Sequence, residues 1–278
     1  MTAGNNLSDK KNIVKILWTG GYDSSFRIVQ LSMRPVEIQP YYVSDNRETE
    51  QAELLAIKKI TTILKQKPTT ACRFLPLQIV NMNQRMVNHQ ISKSYKNLRK
   101  TDFIATLSER LGIFSRKHVI GTQYEWLGIF SKQHPAIELS IHEDDKAVHL
   151  IKQHGSFKLI SDEFIGEYAV IDKSKSSADI NNVFGNFRFP IVNYTKSQMK
   201  EEYRKYGCDD IKDITWFCYS PINSKACGFC NPCIYSIEEG MAERFSLAAM
   251  KRYNYKNWYR VNYKVHHIFR KLKFHMCK

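Results

Sequence analysis

A hydrophobic strand that breaks into Gly-Gly and re-enters as a helix constrains this chain more than any other feature. Ile13, Val14, Ile16, Leu17 and Trp18 form a near-continuous apolar run, the pattern of a strand covered on both faces of a parallel sheet. Thr19-Gly20-Gly21-Tyr22-Asp23-Ser24-Ser25 follows. Its two glycines are free to take positive φ, and Asp and Ser are the side chains that satisfy free amides at a helix start. Such a turn is either a plain strand-to-helix connection or a cradle that aims backbone N–H groups, hydroxyls and a helix dipole at a polyphosphate. It is not a Walker loop, because no Gly-Lys-Ser/Thr follows at the required spacing.

The alternation continues downstream. Pro35 ends the first helix near Met33, residues 36–43 read as a second strand, and 48–64 as a helix with Ala52, Leu55, Ala56, Ile60, Ile63 and Leu64 on its apolar side. Residues 74–80 form a third apolar segment, 102–111 a helix closed by Gly112, and 118–121 a short strand ending at Gly121. This order predicts an α/β fold with a parallel sheet, whose ligands lie beyond the carboxyl ends of the strands. Residues 19–25, 44–47 and 121–124 fall at such ends, and Gln123, Tyr124 and Glu125 are therefore expected to line a pocket.

The middle of the chain is less legible. Ser140 and Glu143 have the spacing of a capping box, which predicts a helix over 141–153. His142, His149 and His154, with Asp144 and Asp145, do not share one helix face and make a poor metal set. Residues 173–179, rich in Ser and Lys, read as an exposed loop. Thr195 and Gln198 form another capping box, and Met199, Tyr203 and Tyr206 recur on one face before Gly207 ends that helix. Lys196 then sits in the first turn against the dipole, a cost of about 0.3 to 1 kcal/mol. It is either a solvated surface lysine or a cation placed for use.

Cys218, Cys227, Cys230 and Cys233 are separated by eight, two and two residues. Four thiolates suit a closed tetrahedral zinc site, and an iron–sulfur cluster also takes four. Gly228 and Pro232 supply the turns, whereas Cys72, Cys208 and Cys277 have no partner at ligand spacing. A cysteine cluster used for metal, the lack of a membrane-length apolar run and a polar N-terminus all lead us to expect a cytoplasmic protein. Of the net charge of +15, residues 251–278 contribute nine Lys or Arg with no Asp or Glu, interleaved with aromatics. That tail suits RNA, an anionic membrane surface, or a helix packed on the domain by its rings.

The glycine turn resembles the pyrophosphate-binding loop of the PP-loop ATPases, Ser-Gly-Gly-x-Asp-Ser, with Thr19 in place of the first Ser. Trp216-Phe217-Cys218-Tyr219 and Cys227-Gly228-Phe229-Cys230-Asn231-Pro232-Cys233 resemble the carboxyl-terminal zinc motif of the 7-cyano-7-deazaguanine synthases, and Thr195-Lys196 also matches that family. The resemblance implies an adenine nucleotide alpha hydrolase-like fold over 13–207 after a polar 1–12 segment, a zinc module over 208–250, and a basic helical tail over 251–278. It implies an ATP- and Mg²⁺-dependent ligase of queuosine biosynthesis that activates a deazapurine carboxylate, adds ammonia and dehydrates the amide to a nitrile. Asp23, Ser24 and Lys196 are then the expected catalytic residues; Thr19, Gly20, Gly21, Ser25, Arg47 and Gly121 join Asp23 and Ser24 in nucleotide binding. Cys218, Cys227, Cys230 and Cys233 would hold Zn²⁺. Other PP-loop enzymes modify tRNA, which keeps an RNA substrate open, as are a non-catalytic role and a homodimer. Because residues 123–128 replace the family's Ser-Gly-Tyr-Pro-Asp stretch, the acceptor is expected to differ from 7-carboxy-7-deazaguanine or to reach a different product.

Overall fold

The computed structural model describes residues 12–82, 86–110 and 120–263, with the backbone alone over 101–110. The chain begins with β1 (Ile13–Leu17), α1 (Tyr22–Ser32), β2 (Glu37–Ser44) and α2 (Glu50–Gln66), then two short strands, β3 (Arg73–Phe74) and β4 (Gln78–Asn81). Helices α3 (His89–Arg110) and α4 (Gln123–Gln133) lead to β5 (Ile137–Glu138) and α5 (Lys146–His154). A hairpin of β6 (Phe157–Asp162) and β7 (Gly166–Ile171) is followed by α6 (Ala178–Phe184) and β8 (Phe187–Arg188). Helices α7 (Lys196–Lys205), α8 (Asp209–Ile214), α9 (Asn231–Glu238) and α10 (Leu247–Asn254) follow, with a short 3-10 turn at Ala242–Arg244 before α10.

The central sheet has the order β3-β2-β1-β5-β8, with β4 also paired to β2, and every pairing in it is parallel. Alternation along each strand covers both faces. Val14, Ile16 and Trp18 of β1 and its exit join Ile38 and Tyr42 of β2 in a core with α1, α2, α7 and α8. Leu17, Tyr41 and Val43 point the other way, into a core built by α3, α4, α5 and α6. The chain progresses from β1 to one edge and then returns to β5 on the other side, so the strand order reverses between β1 and β5. In parallel sheets that reversal opens a crevice at the carboxyl ends of the two strands.

Several expectations shift. Gly121 does not end a strand: it and Ile120 are irregular, residues 118 and 119 lie outside the described residues, and Gln123, Tyr124 and Glu125 form the first turn of α4. Strand β5 stands in the sheet instead, and residues 139–145 follow its carboxyl end. No helix starts at 141; α5 begins at Lys146, capped by the Asp145 side chain accepting from Ala147 N–H at 2.8 Å. Asp145 outcompetes Ser140 because Leu139 is still held to the sheet through the Arg188 carbonyl at 2.9 Å. Leu55 is exposed, and Glu53, Ala56, Ile57, Ile60 and Leu64 form the buried stripe of α2. Asp179 already belongs to α6, which Ser177 caps. Gly112 and Leu111 lie outside the described residues.

Candidate functional site

The glycine turn lies at the carboxyl end of β1. Gly20 has φ +70°, and a Cβ there would meet the Glu53 carbonyl at 2.7 Å, so α2 packs where only glycine fits. The N-cap of α1 is Gly21, which offers no side-chain cap. Asp23 and Ser24 therefore do not cap the helix as expected; the Ser24 hydroxyl donates to the Gly21 carbonyl at 3.5 Å. Thr19 Oγ1 accepts from Gly21 N–H at 3.4 Å, on the exposed side of the turn. Ser25 faces inward, fully buried, its Oγ accepting from the Trp18 indole at 3.0 Å.

Lys196 crosses to this turn from the start of α7. Its Nζ hydrogen-bonds to the Asp23 carboxylate and lies 5.0 Å from the centre of the Tyr22 ring. The capping box at Thr195 is formed, with Gln198 Oε1 accepting from Thr195 N–H at 2.8 Å, and it sets the first turn of α7. The lysine that opposes the helix dipole is thus held by a carboxylate and an aromatic face. His142, from the loop after β5, places Nδ1 3.5 Å from the other Asp23 oxygen. Burial by itself raises the Asp23 carboxyl, but Lys196 and His142 outweigh it and hold the group well below the usual carboxylate range. Asp145 moves the other way, raised by burial and by the Asp23 charge. Burial raises the Glu239 carboxyl too, with Lys196 and His142 opposing. Burial also raises the Tyr124 phenol, with Asp145 and Asp23 adding to it.

The depressed Asp23 has a consequence for folding. Its contribution to stability is complete above the unfolded carboxylate value of about 3.9 and is lost as pH falls through the lowered native value. Asp23→Asn should therefore show a shallower loss of stability on acidification than the wild type. Denaturant titrations across the acid range measure this, and parallel acid limbs would contradict it.

Arg47 and Gly121 have partners other than Asp23. Arg47 is tied to Glu53 at 2.8 Å and lies 5.8 Å from the Tyr42 ring centre. Its partner Glu53 packs its own backbone carbonyl on Gly20. Gly121 accepts from the Tyr95 hydroxyl at 3.2 Å. The capping-box spacing places His142 and Asp145 inside a helix, whereas both lie in the loop before α5. The signal that would have found them is the alternating apolar–polar pattern Ile137-Glu138-Leu139-Ser140-Ile141 ending at His142, a strand exit leading into a polar loop.

The second centre is the cysteine cluster. The Sγ atoms of Cys218, Cys227, Cys230 and Cys233 all lie within 4.8 Å of one another, with pairs at 3.3, 3.7 and 4.0 Å. Bonds of about 2.3 Å to one tetrahedral ion place sulfurs about 3.8 Å apart, so the four fit one zinc-sized ion. Backbone amides point at the sulfurs: Cys227 N–H at 3.2 Å to Cys218 Sγ, and Phe229 and Cys230 N–H at 3.4 and 3.3 Å to Cys227 Sγ. Donors so placed favour thiolate. A turn with positive φ at Asn223 and Ser224 closes the eight-residue spacer through paired Ile222 and Lys225. Cys230 stands at the N-cap position of α9, with no side-chain cap bond, so Cys230 and Cys233 also lie at the positive end of its dipole. Gly228, at φ +85°, is pressed against the Ala249 carbonyl of α10.

The tail is not separate from this centre. Helix α10 spans the boundary expected at 250, and Arg252 Nε donates to the Cys227 carbonyl at 2.7 Å. Residues 256–263 are also helical, and Tyr259 stacks on Phe229 with ring centres 5.8 Å apart. Lys256 pairs with Glu238 at 3.7 Å. Residues 264–278, with the rest of the cations, lie outside the described residues. Among the described residues, no helix is long and apolar enough to cross a membrane.

Fold and centre together define an α/β protein with a mostly parallel central sheet and a four-cysteine cluster able to hold a metal ion near its C-terminus. No family model matches the chain, and no curated protein matches it at a significant level.

Proposed function

We propose that the chain is an ATP-dependent ligase of the PP-loop type, which adenylates a carboxylate with release of pyrophosphate and transfers nitrogen to it from ammonia. The observation that carries this reading is the convergence of Lys196 on Asp23 across 173 residues of sequence, beside the uncapped start of α1 and at the reversal of strand order. A partly buried, compensated charge pair beside free helix amides suits a polyphosphate. It has no evident structural purpose at a plain turn.

In this reading an acceptor carboxylate oxygen bonds to the α-phosphorus of ATP. The bond from that phosphorus to the bridging oxygen breaks, and pyrophosphate leaves with the electron pair. Ammonia then adds to the acyl carbon, AMP departs, and loss of a proton leaves the amide; for a nitrile, the amide oxygen attacks the α-phosphorus of a second ATP with release of pyrophosphate, and the C–O bond then breaks as AMP departs, with two protons lost in all. The α1 amides and the Thr19 and Ser24 hydroxyls hold the pyrophosphate, and Lys196 offsets the charge that grows on it. Tyr124 and Asp145 line the acceptor side. Mg²⁺ bound with the nucleotide would supply charge neutralisation to the leaving pyrophosphate, and Cys218, Cys227, Cys230 and Cys233 would hold Zn²⁺ as a structural ion.

Incubation with ATP, Mg²⁺, ammonia and candidate carboxylates should yield AMP and pyrophosphate. Asp23→Ala and Ser24→Ala should lower that turnover by about 10²-fold or more, the scale for losing one preorganised electrostatic contact, with the fold intact. Unchanged AMP release in both variants would sink the assignment. 7-Carboxy-7-deazaguanine should be a poor acceptor or stop short of the nitrile; turnover to the nitrile at about 1 s⁻¹ or faster would restore the ordinary family substrate.

A further inference from the structure

The four residues before and including the first cysteine touch both candidate centres. Trp216 N–H donates to the Gly20 carbonyl at 2.8 Å, and the Trp216 carbonyl would lie 3.5 Å from a Cβ built on Gly21. Two residues on, Cys218 enters the thiolate cluster, and its own carbonyl accepts from the Trp216 indole at 2.9 Å. The outer side is pinned as well. Arg244 Nη2 donates to the Thr215 carbonyl and, at 2.8 Å, to the Thr215 hydroxyl, while its guanidinium lies 4.5 Å from the Phe217 ring centre.

The contact on Gly20 has a directional effect. The Gly20 carbonyl and the Gly21 N–H belong to one planar trans peptide and point in opposite directions. Holding the carbonyl on Trp216 therefore aims the Gly21 N–H away from the cysteines and into the turn, where Thr19 Oγ1 already meets it at 3.4 Å. A peptide between two glycines rotates easily when nothing holds it, since neither residue has a Cβ to restrict φ and ψ. The strap is thus the brace that selects one orientation. Its far end is only as fixed as Cys218, and a structural metal fixes its ligands by coupling binding to folding.

We infer that residues 215–218 form a strap through which metal loading of the cysteines sets the glycine-turn peptide, so that a metal ion and a polyanion bind this chain with positive coupling and Trp216 is the positioning residue. The part concerning the anion rests on the ligase reading; the part concerning the turn does not. Coupling of this kind is reciprocal, so the anion must tighten metal binding by the same factor.

The test uses the full chain with inorganic pyrophosphate as probe, and amide exchange over 19–25 as a second readout. Metal-loaded protein should bind pyrophosphate roughly 5- to 150-fold more tightly than chelated protein, and metal loading alone should slow exchange over 19–25. Trp216→Ala, which keeps the backbone N–H but frees the strap from the Cys218 carbonyl, should retain one metal per chain and lose most of both effects. Should chelation unfold the chain, the metal-loaded variant supplies the comparison: faster exchange over 19–25 than wild type supports the strap, and equal exchange overturns it. Absence of pyrophosphate binding in every state would remove the ligase reading while leaving exchange to decide the strap. Equal pyrophosphate affinity with and without metal would overturn the coupling.

Discussion

Replacing Glu138 with leucine is expected to cost about 3 to 5 kcal/mol of stability, because it leaves the Arg27 guanidinium buried without its counter-charge. The pair is bidentate, with Arg27 Nε and Nη2 at 2.8 and 2.7 Å from the two carboxylate oxygens, and Nη2 also donates to the Ile165 carbonyl at 3.0 Å. Arg27 is 2% exposed and Glu138 fully buried. Arg27→Leu should cost a similar amount by leaving the carboxylate alone. The double replacement Arg27→Leu, Glu138→Leu should recover most of the loss, since two apolar groups carry no desolvation penalty. Denaturant midpoints of the three variants measure this, and single-variant losses below about 1 kcal/mol, the scale of an exposed pair, would show that water reaches the pair. The location gives the pair a second consequence. Arg27 is one helical turn beyond Asp23, and Glu138 lies four residues before His142, so this clamp sets the distance across which Asp23 and His142 meet.

Cys230→Ser should release the metal from the C-terminal module and unfold much of it. Apparent binding free energies for structural zinc in small modules reach about 10 to 16 kcal/mol, and losing one thiolate of four removes a large share. Cys230 lies 3.3 Å from Cys233 and 4.0 Å from Cys218, so through these two ligands the damage spreads to α9 and to the strap. Elemental analysis should give close to one zinc per wild-type chain and far less in the variant. Stacking of Tyr259 on Phe229 should be lost with it and seen as a reduced near-ultraviolet signal. Wild-type protein carrying iron, or a variant that keeps its full zinc, would contradict this account.

Local chemistry made some of the molecule legible in advance. The apolar run ending at Gly20-Gly21 predicts a buried strand and a turn, and both form, because a strand with no polar face has nowhere stable except the middle of a sheet. Thr195 and Gln198 predict a helix start that forms as a closed capping box, since all its partners lie within one turn. The cysteine spacers predict a cluster for the same reason: two-residue gaps leave the sulfurs little freedom to be elsewhere. Ser140 and Glu143 mark where this kind of reading stops. The motif is present, but sheet pairing through Leu139 holds the backbone extended there, and Asp145 caps α5 instead.

What the residues alone determined is therefore the short-range part: an alternating α/β chain, a glycine turn at the end of its first strand, and four cysteines close enough to share one ion. Tertiary structure alone decided which strand stands beside β1, and with it that His142 and Asp145, not residues 121–124, follow the strand exit next to the turn. It also decided that Ser25 faces the core, that Arg47 is spent on Glu53, that the first part of the tail packs on the cysteine module, and that Trp216 reaches Gly20. Most of these depend on partners tens to hundreds of residues away, and the Trp18–Ser25 and Arg47–Glu53 contacts, seven and six residues apart, form only because the sheet brings their elements together. A side chain's local sequence sets which conformations it can adopt at little cost; only the packed sheet selects the neighbour that lowers its free energy.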